Sequence, residues 1–460
     1  MPTISPAKIV SQHSYRVAGK LQVTEHFFDV PKDYNHPSSG TLRIFARSVR
    51  KHDLGIVKDA SPEKDQLPWM CWLQGGPGME CRAPQQYPWT HPVLDRGYQM
   101  LYLDQRGVGL SSPVTASTLQ MRGDTDVQAK YLKLYRADSI VKDCEAIRQA
   151  LTADYPEEKK RWSIMGQSFG GFCSLTYLSF HPEGLRESFI FGGLAPISVR
   201  DPDEVYRRLY KQVIRRNEAY YDKFPEDVAR VKTVMKYLSR FGDGKIRLPS
   251  EGTLTRRRFQ QMGILFGAHG GLDMVHDIVL RAANDIGSFG HLTRGTLTAI
   301  DHSVGYDEHL IYSILHEPIY CQGQAPKWSA HRILSEYEQA FSLDKDEGQP
   351  IFLTGEMIYP WMFEDYSELR KVQDAAEKVA ADDNWSPLYD AEQLSRNEVP
   401  VYAAAYVEDM YVDFDMSMET ARKVKGCKVF TTNVMFHDAI RSKMEEVVKQ
   451  AFALRDDVVD

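Results

Sequence analysis

The sequence predicts an α/β fold with a mostly parallel central sheet and a large, mainly helical cap inserted in it. Three observations lead there. Short apolar runs, Trp69 to Leu73, Met100 to Leu103, one opening at Trp162, and Phe189 to Phe191, each stop at a glycine-containing turn. That is the texture of buried parallel strands. Between the second and third runs Ile140, Cys144, Ile147 and Leu151 recur at helical intervals. From about Ser198 to Asn397 the strand runs fade and helical spacing takes over. The expected organisation is therefore a core of residues 1–197 and 398–460 around a cap of residues 198–397.

Taken in order, the chain opens with strand-like runs at Val23, at His26 to Val30 and at Thr41 to Ala46. The turn residues Asn35 to Gly40 between them suggest a hairpin. Residues 51–66 are polar and read as a loop. After the third apolar run a helix is expected to continue to Phe180, ended by His181-Pro182-Glu183-Gly184. In the cap, Val205-Leu209-Val213 and Val228-Val231-Met235-Leu238 carry helical spacing, and Ile351 to Leu353 is a short strand-like run. The α/β pattern returns at Val401 to Val407 and Lys428 to Phe430, and a closing helix is expected from Ala439 to Leu454.

Composition narrows the function classes. Of the 460 residues, 43% are hydrophobic and 26% charged, so a sizeable core is expected. The formal net charge of −7 argues against nucleic acid or an anionic membrane as partner. The six cysteines form no Cys-x-x-Cys pair and no zinc spacing, and read as free thiols packed among apolar side chains. The first twenty residues lack an apolar signal core and no run reaches membrane-spanning length, so the expected compartment is the cytosol.

The chemistry centres on Gly166-Gln167-Ser168-Phe169-Gly170, a Gly-x-Ser-x-Gly turn between a strand and a helix. Such a nucleophile elbow lifts a serine hydroxyl clear of the sheet. A serine needs a base, and in α/β-hydrolases the partners follow in the order serine, acid, histidine. His437 is the one histidine after residue 400 and follows the last expected strand. The acid belongs after the preceding strand, where Asp409 stands, with Glu408, Asp413 and Asp415 as neighbouring carboxylates. The expected oxyanion hole is the backbone N–H of Phe169 and that of Gly76 in the Gly75-Gly76-Pro77-Gly78 turn. Asp104 and Arg106 are expected to brace the sheet end as an ion pair, and Cys173 to pack within its helix.

Together, Gly75-Gly76-Pro77-Gly78, Asp104 to Ser111 and Gly166 to Gly171 resemble the proline iminopeptidases, α/β-hydrolase serine exopeptidases that remove an N-terminal proline. The resemblance extends to the N-terminal hairpin and to Val407-Glu408-Asp409-Met410-Tyr411-Val412. Shorter members have histidine before Gly-Gly-Pro-Gly, whereas this chain has Gln74, which with its length resembles the larger subgroup that also accepts other N-terminal residues. The family holds the substrate's free amino terminus with cap carboxylates. Here the resemblance points to Glu317 in His316-Glu317-Pro318-Ile319-Tyr320 and Glu356 in Gly355 to Trp361, with Tyr320, Trp361 and Phe363 as walls for a pyrrolidine ring.

The function expected is a serine exopeptidase acting through an acyl-enzyme on peptides with a free N-terminus, preferentially N-terminal proline, with no metal or organic cofactor. A small-molecule esterase or amidase with the same triad, or a non-catalytic binding scaffold, are the alternatives.

Overall fold

The computed structural model describes residues 4–52, 66–241 and 246–457. A nine-stranded sheet runs in the order β1-β2-β3-β5-β4-β6-β7-β8-β9. Its strands are β1 (Lys8–Val17), β2 (Leu21–Pro31), β3 (Thr41–Lys51), β4 (Trp69–Leu73), β5 (Gln99–Leu103), β6 (Trp162–Gln167), β7 (Leu185–Phe191), β8 (Val401–Tyr406) and β9 (Cys427–Thr432). β1, β2 and β3 pair antiparallel, as does β3 with β5, and every pairing from β5 to β9 is parallel.

Both faces of the parallel strands are covered, which is why they read as continuous apolar runs. Along β4, Cys71 and Leu73 face one core with Leu101, Ile164 and the helices Ala137–Leu151 and Phe169–Phe180. Met70 and Trp72 face the other, with Tyr102, Met165, Phe189 and the C-terminal helix Met444–Asp456. The first core continues into the helical segment through Tyr206, Leu209 and Val213 of the helix Asp203–Lys223. The sheet takes no described strand from residues 192–400, which hold a series of helices between β7 and β8.

β5 lies on one side of β4 and β6 on the other, so the chain changes direction across β4. In open α/β sheets ligands bind at the carboxyl ends of strands at such a switch point. Here those ends carry the Gly75–Gly78 turn and Ser168.

Several expectations need correcting. β1 lacks an apolar alternation because it is a largely exposed edge strand. Ile351 to Leu353 is not a strand. The Leu353 N–H donates to Asn217 Oδ1 (2.7 Å) and Asn217 Nδ2 donates to the Leu353 carbonyl (2.8 Å), so a side chain takes the place of a neighbouring strand. The closing helix is two, Ala439–Ser442 and Met444–Asp456, parted at Lys443 (φ −131°, ψ 35°). The polar run 51–66 falls mostly outside the described residues, apart from Lys51, His52 and Gln66.

Arg106 does not pair with Asp104. Its Nε and Nη2 donate to Asp143 (2.7 and 2.6 Å), and Nη1 donates to the Lys32 and Leu134 carbonyls (3.0 and 2.9 Å). Asp143 also accepts from the Tyr34 hydroxyl at 2.8 Å. This joins the end of β2, the turn after β5 and the helix Ala137–Leu151. Both charges are buried, at 0% and 1% side-chain exposure, so removing one leaves the other uncompensated. Asp143→Ala should therefore destabilise the protein by about 3–5 kcal/mol. Urea or thermal denaturation against wild type tests this, and an unchanged midpoint would count against it.

Candidate active site

The elbow is built by close packing. β6 is buried throughout and the helix Phe169–Phe180 starts directly after Ser168. Ser168 sits at φ 57°, ψ −125°, a conformation costing a non-glycine residue about 1–3 kcal/mol. The surroundings hold it there: its N–H donates to the Phe191 carbonyl (3.0 Å) and its own carbonyl accepts from the Gly171 N–H (2.8 Å). A Cβ at Gly166 would overlap the Gly170 backbone, and one at Gly170 would overlap the Leu73 carbonyl. Glycine at both positions is what lets helix and strand meet so closely.

His437 and Asp409 stand together in the loops after β9 and β8. His437 Nδ1 lies 2.7 Å from Asp409 Oδ2, and Asp409 Oδ1 accepts the backbone N–H groups of Tyr411 and Val412 (2.8 and 3.0 Å). The carboxylate is thus fixed by backbone while facing the imidazole. Burial opposes charge on His437, but the Asp409 charge and hydrogen bond, with help from Glu356, outweigh it and raise the pKa above the ordinary 6.5. The neighbouring acids are engaged elsewhere: Glu408 accepts from Gln212 (3.1 Å), and Asp413 caps the helix Phe414–Lys423 through the Met416 N–H (2.9 Å). Asp415 lies in the first turn of that helix.

Ser168 and His437 line one cavity of about 600 Å³, together with Gly75, Gly76, Gln167, Tyr312, Glu356 and Tyr411. Gln167 Nε2 donates to the His437 carbonyl (3.4 Å), linking the elbow to the histidine loop. Gly76 faces the cavity. The Phe169 N–H is the first of its helix and has no intrahelical acceptor. Gln74 also lines the space, held by Trp72 Nε1 donating to its Oε1 (2.9 Å) and by its own Nε2 donating to the Glu80 carbonyl (3.1 Å).

Glu317 and Glu356, both in the helical stretch between β7 and β8, have different surroundings. Glu356 lines the cavity, accepts from the Tyr312 hydroxyl at 2.6 Å and lies 3.6 Å from His316 Nε2. Burial pushes its pKa up, but His316, His437 and Tyr312 outweigh that and hold the carboxyl below its ordinary value. Glu317 is not brought to the cavity. Its two oxygens accept the backbone N–H groups of Ser329 and Ala330 (2.8 and 2.9 Å) at the start of the helix Ser329–Leu334. Burial dominates there and pushes its pKa up to about 8 despite those bonds, so near neutrality it is mostly uncharged.

The aromatic expectations also shift. Tyr320 is buried against Phe172 and Tyr206, Trp361 stacks on Tyr359, and Phe363 packs on Trp328; none of the three lines the cavity. Tyr312, Tyr411 and Tyr306 do. Sequence reading missed Tyr312 and His316, four residues apart and so on one side of a helical turn, a spacing that could have been noticed. Tyr411, edge-on to His437 with ring centroids 4.8 Å apart, lay within a stretch already singled out.

Among the described residues no group of three or more His, Cys, Asp or Glu side chains is arranged to hold a metal ion. No described helix is long and apolar enough to cross a membrane. The six cysteines are unpaired, and Cys173 is buried in its helix.

A serine at a strained strand-to-helix turn, sharing a cavity with a histidine that a buried carboxylate holds, is the arrangement that acyl-transfer hydrolases of this fold use. Residues 68–256 match the family model described as "alpha/beta hydrolase fold". The chain is 46% identical over 457 residues to the proline iminopeptidase aneH of Aspergillus aculeatus, covering 99% of each protein. It is 39% identical over 450 residues to the proline iminopeptidase of Aeromonas sobria, covering 97% of this chain and 100% of that one. This chain belongs to the proline iminopeptidase family of α/β-hydrolases.

The raised His437 pKa has a defined sign. Pairing with Asp409 favours the protonated ring, so it adds stability below pH 6.5 that is lost as pH rises through the folded value. An NMR titration should find His437 protonating above 6.5, and Asp409→Asn should bring that value down. An unshifted titration in the variant would show that Asp409 does not control the ring.

Proposed function

We propose that the protein is a serine aminopeptidase that releases an N-terminal residue, preferentially proline, from peptides through an acyl-enzyme. The observation that supports this most is the cavity lined by Ser168, His437 and Glu356 together, in a chain of this family. In this reading residues 198–397 form the cap and carry the groups that select the amino terminus.

The substrate's protonated amine pairs with the Glu356 carboxylate. A cation withdrawn from water into the cleft needs such a partner, and an internal peptide bond or an acylated terminus offers no cation to meet it. The scissile carbonyl then lies over Ser168. His437 accepts the hydroxyl proton as Ser168 Oγ attacks, while Asp409 orients the ring and stabilises the imidazolium. The N–H groups of Phe169 and Gly76 receive the charge developing on the carbonyl oxygen. Collapse of the intermediate breaks the C–N bond as His437 gives the proton to the leaving nitrogen. Water activated by His437 then hydrolyses the aminoacyl ester, releasing the free amino acid and restoring Ser168.

A panel of arylamides with free and N-acylated termini tests the reading. Proline arylamide should be turned over and its N-acylated form should not. Ser168→Ala should abolish fluorophosphonate labelling and lower kcat by about 10⁴-fold or more. Glu356→Gln leaves the ammonium without a counter-charge and should lower kcat/KM by about a hundredfold. Ester turnover indifferent to N-acylation, without arylamide turnover, would favour a small-molecule esterase. A folded sample that takes no label would favour a binding scaffold.

A further inference from the structure

The cavity carries opposite charges in different places. Glu356 is partly covered, whereas Arg82 and Arg441, which line the same cavity, are exposed and stand where it meets solvent. In a chain of net charge −7, two cations beside the candidate nucleophile call for a reason. Among the described residues neither guanidinium makes an ion pair or a hydrogen bond. Asp438, close to Arg441 in the chain, acts on it through space but is bound by His269 Nδ1 at 2.6 Å. Glu80, which with Glu356 is a carboxylate of the cavity wall, acts on Asp104 and His309. The remaining titratable neighbours facing the space include His302 and His309.

The backbones of both arginines are held. The Arg82 N–H donates to the Tyr87 hydroxyl (2.9 Å), and the Tyr87 ring stacks on Tyr102 at 4.8 Å and 1°. Arg441 follows His437 by four residues in the helix Ala439–Ser442, its N–H donating to the Asp438 carbonyl (2.8 Å). Packing around its base and the like charge of Arg82 disfavour charge on Arg441, and together they outweigh the favourable pull of Tyr87 and Asp438. An anion near the two would offset their mutual repulsion.

The reaction says which anion. His437 delivers a proton to the leaving nitrogen, so the leaving residue lies on the His437 side, where Arg441 also stands. In a dipeptide the carboxylate carbon is two bonds from that nitrogen. We propose that Arg82 and Arg441 form a carboxylate site on the leaving-group side, which selects short peptides whose free C-terminus lies close to the scissile bond. Glu356 and the arginine pair would then hold the two ends of a zwitterion with Ser168 between them. This inference rests on the aminopeptidase reading above.

The test compares kcat/KM for Pro-Ala, Pro-Ala-amide, Pro-Glu-amide and proline arylamide at low salt, in wild type and in the Arg82→Gln, Arg441→Gln double variant. Ratios are taken within each enzyme, so any general loss of activity or folded fraction cancels. Wild type should prefer Pro-Ala to Pro-Ala-amide by roughly three- to tenfold, as expected for charge-assisted bonds near solvent. That ratio should fall toward one in the double variant, and in wild type as salt is raised. A wild-type ratio near one, or one unchanged in the variant, overturns the proposal. So does a gain confined to Pro-Glu-amide, which would make the ligand an acidic side chain. If no peptide and no arylamide is cleaved, the aminopeptidase reading itself fails. Arylamide turnover without carboxylate preference sinks only the arginine site.

Discussion

The site depends on one close approach, that of the helix Phe169–Phe180 to strands β4 and β6. With no side chain at Gly166 or Gly170, backbone meets backbone, and the turn between them has little choice but to hold Ser168 at positive φ. Other parts are placed relative to that contact. The Gly75–Gly78 turn leaves β4 beside the elbow, and Gln167 reaches the histidine loop. A loosened elbow would misplace the serine against groups that come from distant parts of the chain, and small displacements between reacting groups are expensive in rate.

Around this contact the protein gives its buried acids different partners, and for two of them a different charge. Asp409 is met by two backbone N–H groups and an imidazole, Glu356 by a tyrosine hydroxyl and His316, and Glu317 by backbone alone. For Glu356 the partners outweigh burial, and for Glu317 burial wins. The result is a negative group lining the cavity and a largely neutral one packed away from it.

Much of this was legible in the chain. β4 to β8 announced themselves because both faces of each strand are buried, leaving apolar runs that glycine turns cut short. Ser168, Asp409 and His437 could be singled out because strand ends, order and residue type together admit few candidates. The edge strand β1 could not, since it buries little. Ile351 to Leu353 misled because an apolar, extended segment can satisfy its backbone with a buried side chain, Asn217, as well as with a strand.

By itself the sequence determined the α/β architecture, the elbow and its family, because these rest on local chemistry: glycine's missing Cβ, apolar periodicity, and motifs spanning a few residues. Only the tertiary structure decided which of Glu317 and Glu356 reaches the cavity, that Arg106 pairs with Asp143 and not Asp104, and which aromatics line the wall. Those outcomes turn on which way helices distant in sequence present their faces. Glu317 and Glu356 are alike as residues, and what separates them is the partner each meets after folding.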